Sequence, residues 1–256
     1  MGRIALIGCR TLALDLERIA AELGLELSSR FFSAVLHDDP SELRRRLQIT
    51  IDQVSEKGGY DRIVIAYGLC GGGTAGLGAR SLPLVLPRVP DCIALLLGSD
   101  ARYRRQLAAC PGTYYLSAGW VESQAERLSK QPDELIENPL VAVDYQYLRS
   151  RHGEPEAEAV RDFLESWKRN YRRAVFIDTG AGERPELYES VARVMADRYR
   201  WRYEKLTGTR DLFVELLSAE RSSDEVLLVP PGHTTRYRAA EQRMEAVLEP
   251  AGDTTG

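Results

Sequence analysis

Two rhythms of apolar positions alternate along the chain. Short unbroken runs recur at Ile4–Ile7, Ile63–Ala66, Leu84–Leu86, Ala174–Ile177 and Val226–Val229. Runs of this kind suit strands covered on both faces of a parallel sheet. Between them, apolar residues return at helical spacing. Leu12, Leu16, Ile19, Ala20 and Leu23 share one stripe that Gly24 closes, with Thr11 as the expected cap. Asp39-Pro40-Ser41-Glu42 opens a second helix, because Asp39 can cap, Pro40 suits the first turn and Glu42 falls three residues after the cap. That helix carries Leu43, Leu47, Ile51 and Val54 and ends near Gly58-Gly59.

The remaining elements follow from the same rhythms. Phe32–Leu36 reads as the second strand, with His37 at its end, and Thr113–Leu116 as a strand before Gly119-Trp120. Asp91 starts a helix through Ile93–Gly98. Glu156–Arg173 reads as one long amphipathic helix with Val160, Phe163, Leu164 and Trp167 inward. Pro185–Arg198 is a helix, Trp201–Leu206 a strand, and Thr209-Arg210-Asp211 opens a further helix. The pattern predicts an α/β fold of two Rossmann-like βαβαβ units with parallel sheets, joined by a helical segment. The expected divisions are a leading unit over 1–120, a helical connector over 121–172, a trailing unit over 173–248 and a flexible tail over 249–256.

Composition narrows the function classes. The 256 residues are 44% hydrophobic and 28% charged, an ordinary globular balance. A net charge of −4 gives no basic footprint for nucleic acid. No apolar run reaches the ~18 residues of a membrane span, and MGRIALIGCR enters a strand without a signal-peptide pattern. The expectation is a cytoplasmic protein with no membrane or nucleic-acid partner, in which Cys9, Cys70, Cys92 and Cys110 are reduced thiols.

Candidate chemistry gathers where strands end. Tyr67-Gly68-Leu69-Cys70 runs into Gly71, Gly72 and Gly73, with no Gly-Lys-Ser/Thr to make a P-loop. Cys9, His37 and Cys70 each end one of the first three expected strands, and Cys92 begins the element after the glycine loop. Parallel strands bring their carboxyl ends to one edge, about 5 Å apart per neighbour. Thiolates with a histidine suit Zn²⁺, and three cysteines suit an iron–sulfur cluster. Without a metal, Cys70 or Cys92 would be a nucleophile with His37 as base. The plainer reading makes the cysteines packing residues and His37 a loop residue. Gly71 and Gly72 are candidate backbone donors to a ligand, and Arg10 and Arg88 candidate anion partners. On the trailing rim, Asp178, Gly180 and His233 are candidates for holding an anionic fragment.

Tyr67-Gly68-Leu69-Cys70-Gly71, Pro87-Arg88 with Asp91-Cys92, Leu96-Leu97-Gly98-Ser99 and Tyr114-Tyr115-Leu116 before Gly119-Trp120 resemble the DUF1638 family of uncharacterised bacterial and archaeal proteins. Gly8-Cys9 and His37 resemble its early motifs. The family often has a histidine before the Asp-Cys pair, where this chain has Pro90, so the resemblance leaves three cysteines. It also implies one-carbon chemistry beside a corrinoid-dependent methyltransferase. The resulting expectation is a thiolate-metal protein with zinc or an iron–sulfur cluster on Cys9, Cys70 and Cys92. Its substrate would be a small anionic or thiol compound, for methyl transfer or thiol activation. The alternatives are a non-enzymatic carrier of a metal or small molecule for the methyltransferase, and the metal-free cysteine nucleophile.

Overall fold

The computed structural model describes residues 3–130, 149–150, 153–155 and 166–248. Its central sheet has five strands in the order β2-β1-β3-β4-β8, namely Glu26–Phe32, Arg3–Cys9, Arg62–Ala66, Leu84–Pro87 and Val226–Val229. The first four run parallel and β8 runs antiparallel to β4. A separate parallel sheet has the order β5-β6-β7: Thr113–Ser117, Arg173–Asp178 and Arg202–Thr207. A hairpin of β9 (His233–Arg238) and β10 (Arg243–Leu248) completes the strands described. Helices α1 (Ala13–Glu22), α2 (Pro40–Lys57), α3 (Cys92–Leu97), α4 (Asp100–Ala109), α5 (Ala118–Lys130), α6 (Pro185–Tyr199) and α7 (Asp211–Ser218) connect them.

The α/β class and the dominance of parallel pairing are as the apolar rhythm predicts. Two strands change places. Thr113–Ser117, read as part of the leading unit, pairs with β6 in the second sheet. Val226–Val229, read as the third strand of the trailing unit, returns to close the central sheet beside β4. An apolar run records that a strand is covered on both faces and carries nothing about which sheet covers it.

The second strand also lies elsewhere. Glu26–Phe32 forms β2, and Ala34–Asp38 is a 3-10 turn beyond it. β2 is an outer strand, where Ser28, Ser29 and Arg30 are exposed. Its polarity hid it from a search for apolar runs, but a strand with one open edge tolerates such residues. Of the helix expected over Glu156–Arg173, residues 156–165 lie outside the described residues. Ser166–Asn170 form a 3-10 turn, and Arg173 already begins β6.

Local signals place the helix ends. The Asp39 carboxylate accepts from the Ser41 and Glu42 backbone N–H groups, 3.0 Å each, and starts α2. Asp91 Oδ1 accepts from Ile93 N at 2.9 Å and starts α3, which Gly98 ends in the left-handed region. The main core is built from β1, β3, β4, α1, α2, α3 and α7. Leu6, Leu16, Leu47, Val64, Leu84 and Phe213 are fully buried there. A smaller core of Phe176, Tyr188, Ala192 and Trp201 serves the second sheet.

Strand order sets where chemistry can occur. The chain leaves β1 for β2 on one side and returns across β1 to β3 on the other. With right-handed crossovers, α1 and α2 then cover opposite faces. A crevice opens where these connections diverge, beyond the carboxyl ends of β1 and β3, and ligands of open α/β sheets bind at such a switch point.

Candidate functional site

Cys9 is the last residue of β1, and Cys70 follows β3 by four residues. The two therefore flank the switch point. Gly8 pairs with Ala66, the last residue of β3, so Cys9 stands at the same end of the sheet as the Tyr67–Cys70 turn. Cys92 reaches the same place through the loop after β4. Leu69 N donates to Val89 O at 2.8 Å and Cys70 N to Pro90 O at 2.9 Å, locking the two loops together. Gly68 permits this approach, because a Cβ there would lie 2.6 Å from the Asp91 backbone.

Thr11 is tied to the first cysteine. The sequence suggests it as a helix cap, but α1 has Leu12 at that position and no side-chain cap. The Thr11 hydroxyl instead lies 3.2 Å from Cys9 Sγ. All four cysteines are free thiols. Burial pushes Cys9 up, with partial opposition from Thr11. Burial, then the neighbouring Cys9 and Asp91, pushes Cys70 up to about 12. Cys92 is raised well above its ordinary value by burial, then by Cys9, Asp91 and Cys70. Cys92 thus feels both other thiols, and Cys70 feels Cys9.

The surrounding polar groups are unevenly satisfied. Burial raises the Asp91 carboxyl, against hydrogen bonds from Tyr103 and the Ile93 and Ala94 N–H groups. The Tyr67 hydroxyl, on a residue 2% exposed, has no hydrogen-bond partner among the described residues. Cys70 holds φ +44°, uncommon for a residue with a side chain. Strained backbone of this kind concentrates at functional sites. Sequence reasoning treated Thr11 as a cap and Asp91 as a helix start, and it gave Tyr67 no role. The available signal was position, since each lies within two residues of a strand end or a cysteine.

The other candidates are placed differently. His37 sits in the 3-10 turn with a side chain 57% exposed, and Nε2 is 3.1 Å from Asp38 Oδ1. Its nearest polar neighbour is thus the Asp38 carboxylate rather than a cysteine. Gly71 and Gly72 have φ of +66° and +99°. The loop is folded on itself: Gly72 N donates to Leu69 O, Gly73 N to Cys70 O and Gly76 N to Thr235 O. Buried Thr235 receives Leu77 N at 2.8 Å and donates to Thr74 O at 2.7 Å. These glycines make a stapled turn against β9. Arg88 donates its N–H to Glu225 O, and burial followed by Arg243 lowers its guanidinium. His233 opens β9, where its carbonyl accepts from Ala79 N.

Asp178 and Gly180 lie on the second sheet's rim. Asp178 Oδ1 accepts from Gly180 N at 2.9 Å, and Oδ2 is 3.0 Å from Lys205 Nζ. Arg18 donates to the Thr179 and Gly180 carbonyls at 2.9 and 3.0 Å. Tyr114 stacks with Trp120, Tyr171 and Trp201 and belongs to the smaller core.

A cleft of about 970 Å³ opens beyond β2, lined by Arg10, Arg30, Phe32, Leu36, Arg46 and Glu126 among others. Phe32 is the register partner of Cys9, and Arg10 is its chain neighbour, so the cleft lies next to the end of β1. Arg10 Nε donates to Glu126 Oε2 at 2.7 Å.

Cys9, Cys70 and Cys92 are sulfur donors of the type a thiophilic metal takes, and the Tyr67 hydroxyl has no partner among the described residues. The side chains are not already gathered on a common centre, and among the described residues no group of three or more His, Cys, Asp or Glu stands in metal-holding positions. Loading would need the thiols to shed their protons and Cys9 to turn from Thr11. No helix among the described residues is long and apolar enough to cross a membrane.

Residues 31–217 match the family described as "Protein of unknown function (DUF1638)", and the chain belongs to that family. No curated protein and no solved structure matches it.

Proposed function

We propose that this DUF1638 protein binds a thiophilic metal, zinc or an iron–sulfur cluster, through Cys9, Cys70 and Cys92, and uses it to activate a small thiol or anionic substrate. One observation carries the reading: Cys9 and Cys70 flank the β1/β3 switch point, and backbone hydrogen bonds from Leu69 and Cys70 to Val89 and Pro90 hold the Cys92 loop against Cys70. Metal bound there supplies a Lewis-acid position that lowers the pKa of an added thiol. The chain's own residues do the rest. Gly68 holds the Asp91-Cys92 loop against Cys70, and Thr11 hydrogen-bonds Cys9. The adjoining cleft gives a substrate room, with Arg10 and Arg30 on its wall. The thiolates require a reducing compartment, which favours the cytoplasm. A corrinoid-dependent methyltransferase would be the partner whose methyl group the activated thiol accepts.

A bare cysteine nucleophile is the weaker reading. Burial leaves Cys70 near pKa 12, with a negligible thiolate fraction at neutral pH, and His37 is paired with Asp38. The deciding experiment is anaerobic purification, then zinc, iron and sulfide analysis with a visible spectrum. About one zinc per chain in colourless protein supports thiol activation, and brown protein with iron and sulfide supports a cluster. Metal-free protein with one rapidly alkylated cysteine overturns the proposal. A metal-loaded protein that binds thiols without turnover alongside methyl donors makes it a carrier.

A further inference from the structure

The outer edge of β2 is unpaired among the described residues. Folded chains usually blunt such an edge with a bulge, a proline or a very short strand. β2 has none of these: Glu26–Phe32 pairs with β1 in unbroken register, and none of its residues is proline. The cleft of about 970 Å³ lies along this strand, with residues 29–33 in its wall beside exposed Val35. Exposed Ile49 stands on the same side, because helical spacing puts it on one face of α2 with Arg46 and Gln53. Arg46 lines the cleft, and Gln53 Oε1 accepts from Arg30 at 3.1 Å. Arg30 is also 5.6 Å from the Phe32 ring, and among the described residues it meets no carboxylate. Glu26, four residues earlier on the same face of the strand, is exposed and 3.3 Å from Arg3.

The geometry points to a second copy of this chain as the partner of this edge: two β2 strands pair antiparallel about a two-fold axis at Ser28 and join the central sheets of both copies into one. Antiparallel strands related by such an axis set one residue opposite its own copy. With Ser28 at the axis, Glu26 lies opposite the partner's Arg30, and Arg30 opposite the partner's Glu26. Directly opposed unlike charges stabilise a strand pair, and like charges oppose it. No other centre within β2 does this: at Glu26 or at Arg30 like charges meet, and at the rest neither charge meets its opposite. Charges that discourage most incoming strands therefore select this one. The added strand also shields Val35 and Ile49 from water. The pairing needs no metal at the thiols.

Sedimentation velocity on the full chain under reducing conditions tests this, and the parent should run as a dimer. Arg30→Glu and Glu26→Arg should each weaken dimerisation at least about tenfold, since each sets like charges opposite one another twice. Mixed in equal amounts, the two variants should dimerise as the parent does, because every introduced charge then faces its opposite. A chain carrying both substitutions should dimerise by itself for the same reason. Circular dichroism should match the parent throughout, as these positions are exposed. A monomeric parent, as when its own chain covers the edge, overturns the proposal. So does a dimer that neither single substitution weakens, which would lie on another surface. Weakened single variants with no recovery in the mixture or in the double variant overturn the pairing about Ser28.

Discussion

The molecule has two rims where parallel strands end, and they are finished in opposite ways. Beyond β1 and β3, burial raises three thiols and the Asp91 carboxyl, and the Tyr67 hydroxyl has no hydrogen-bond partner among the described residues. Beyond β6 and β7 the charge is neutralised. Burial works to raise Asp178, but Lys205 and the Gly180 N–H hold it below its usual value. Arg18 occupies the adjacent carbonyls, and Gly208 is so close to Leu96 that a Cβ would lie 2.7 Å from the Leu96 carbonyl oxygen. The same secondary structure thus ends in thiols at one rim and in contacts between the two sheets at the other. The difference lies in charge: a lysine holds the carboxylate at the second rim, while burial raises the thiols and the Asp91 carboxyl at the first.

The comparison breaks first on metal. Replacing Cys9, Cys70 and Cys92 together by Ser should lower the bound metal at least tenfold, while circular dichroism stays that of a folded α/β protein. The Asp178→Asn variant should bind as much metal as the parent. Full metal content in the triple variant, measured by plasma mass spectrometry, would erase the distinction between the rims.

Next is Gly68→Ala. The added Cβ would press on Asp91 backbone atoms 2.6 Å away. Overpacking of this kind costs about 1–3 kcal/mol, and it should lower Tm by several degrees in a chain of this size. Because the displaced backbone carries Cys92, metal content should fall as well. Loss of stability without loss of metal would show that the loop contact serves folding alone.

Asp15 sharpens the comparison from the other side. It projects from α1, is 1% exposed, and lies 3.9 Å from Arg18 Nη2, and no hydrogen bond to either oxygen meets normal geometry. Burial raises its carboxyl above 3.8, and Thr179 and Arg18 offset this only in part. The sign follows from linkage. A raised folded pKa means that the folded state holds the proton more tightly than the unfolded state does. The stabilisation is full below 3.8 and is lost as pH rises through the folded pKa. Asp15→Asn should therefore stabilise the protein at pH 7 by about 1 kcal/mol, or roughly 2–4 °C in Tm. It should also flatten the melting profile across that acid window. An unchanged profile would mean that Arg18 fully compensates the charge.

The smallest effect belongs to Asp178→Asn itself. It weakens a partly exposed ion pair with Lys205, and such pairs contribute under about 1 kcal/mol. A thermal shift of several degrees would show that the second rim depends on this charge more than its exposure implies.

Much of this was legible before any coordinates. Asp39-Pro40 and Asp91 marked helix starts that the fold honours, because capping is local chemistry. The buried runs marked β1, β3, β4, β6 and β8 for the same reason. β2 was misplaced because its exposed serines and arginine break the apolar signal. His37 moved with it, from a strand end to an exposed turn. The Asp-Thr-Gly at 178–180 looked like a ligand cradle, but its amide and carbonyls are taken by Asp178 and Arg18.

By itself the sequence determined most of the buried strands, the capped starts of α2 and α3, and which cysteines stand at or beyond strand ends. These depend on residues a few positions apart. Only the tertiary structure decided that β5 joins β6, that β8 closes the central sheet, that Thr11 bonds Cys9, and that the Cys92 loop lies against Cys70. Strand partnership and hydrogen-bond satisfaction depend on which distant segments pack together, and no local pattern of residues records that choice.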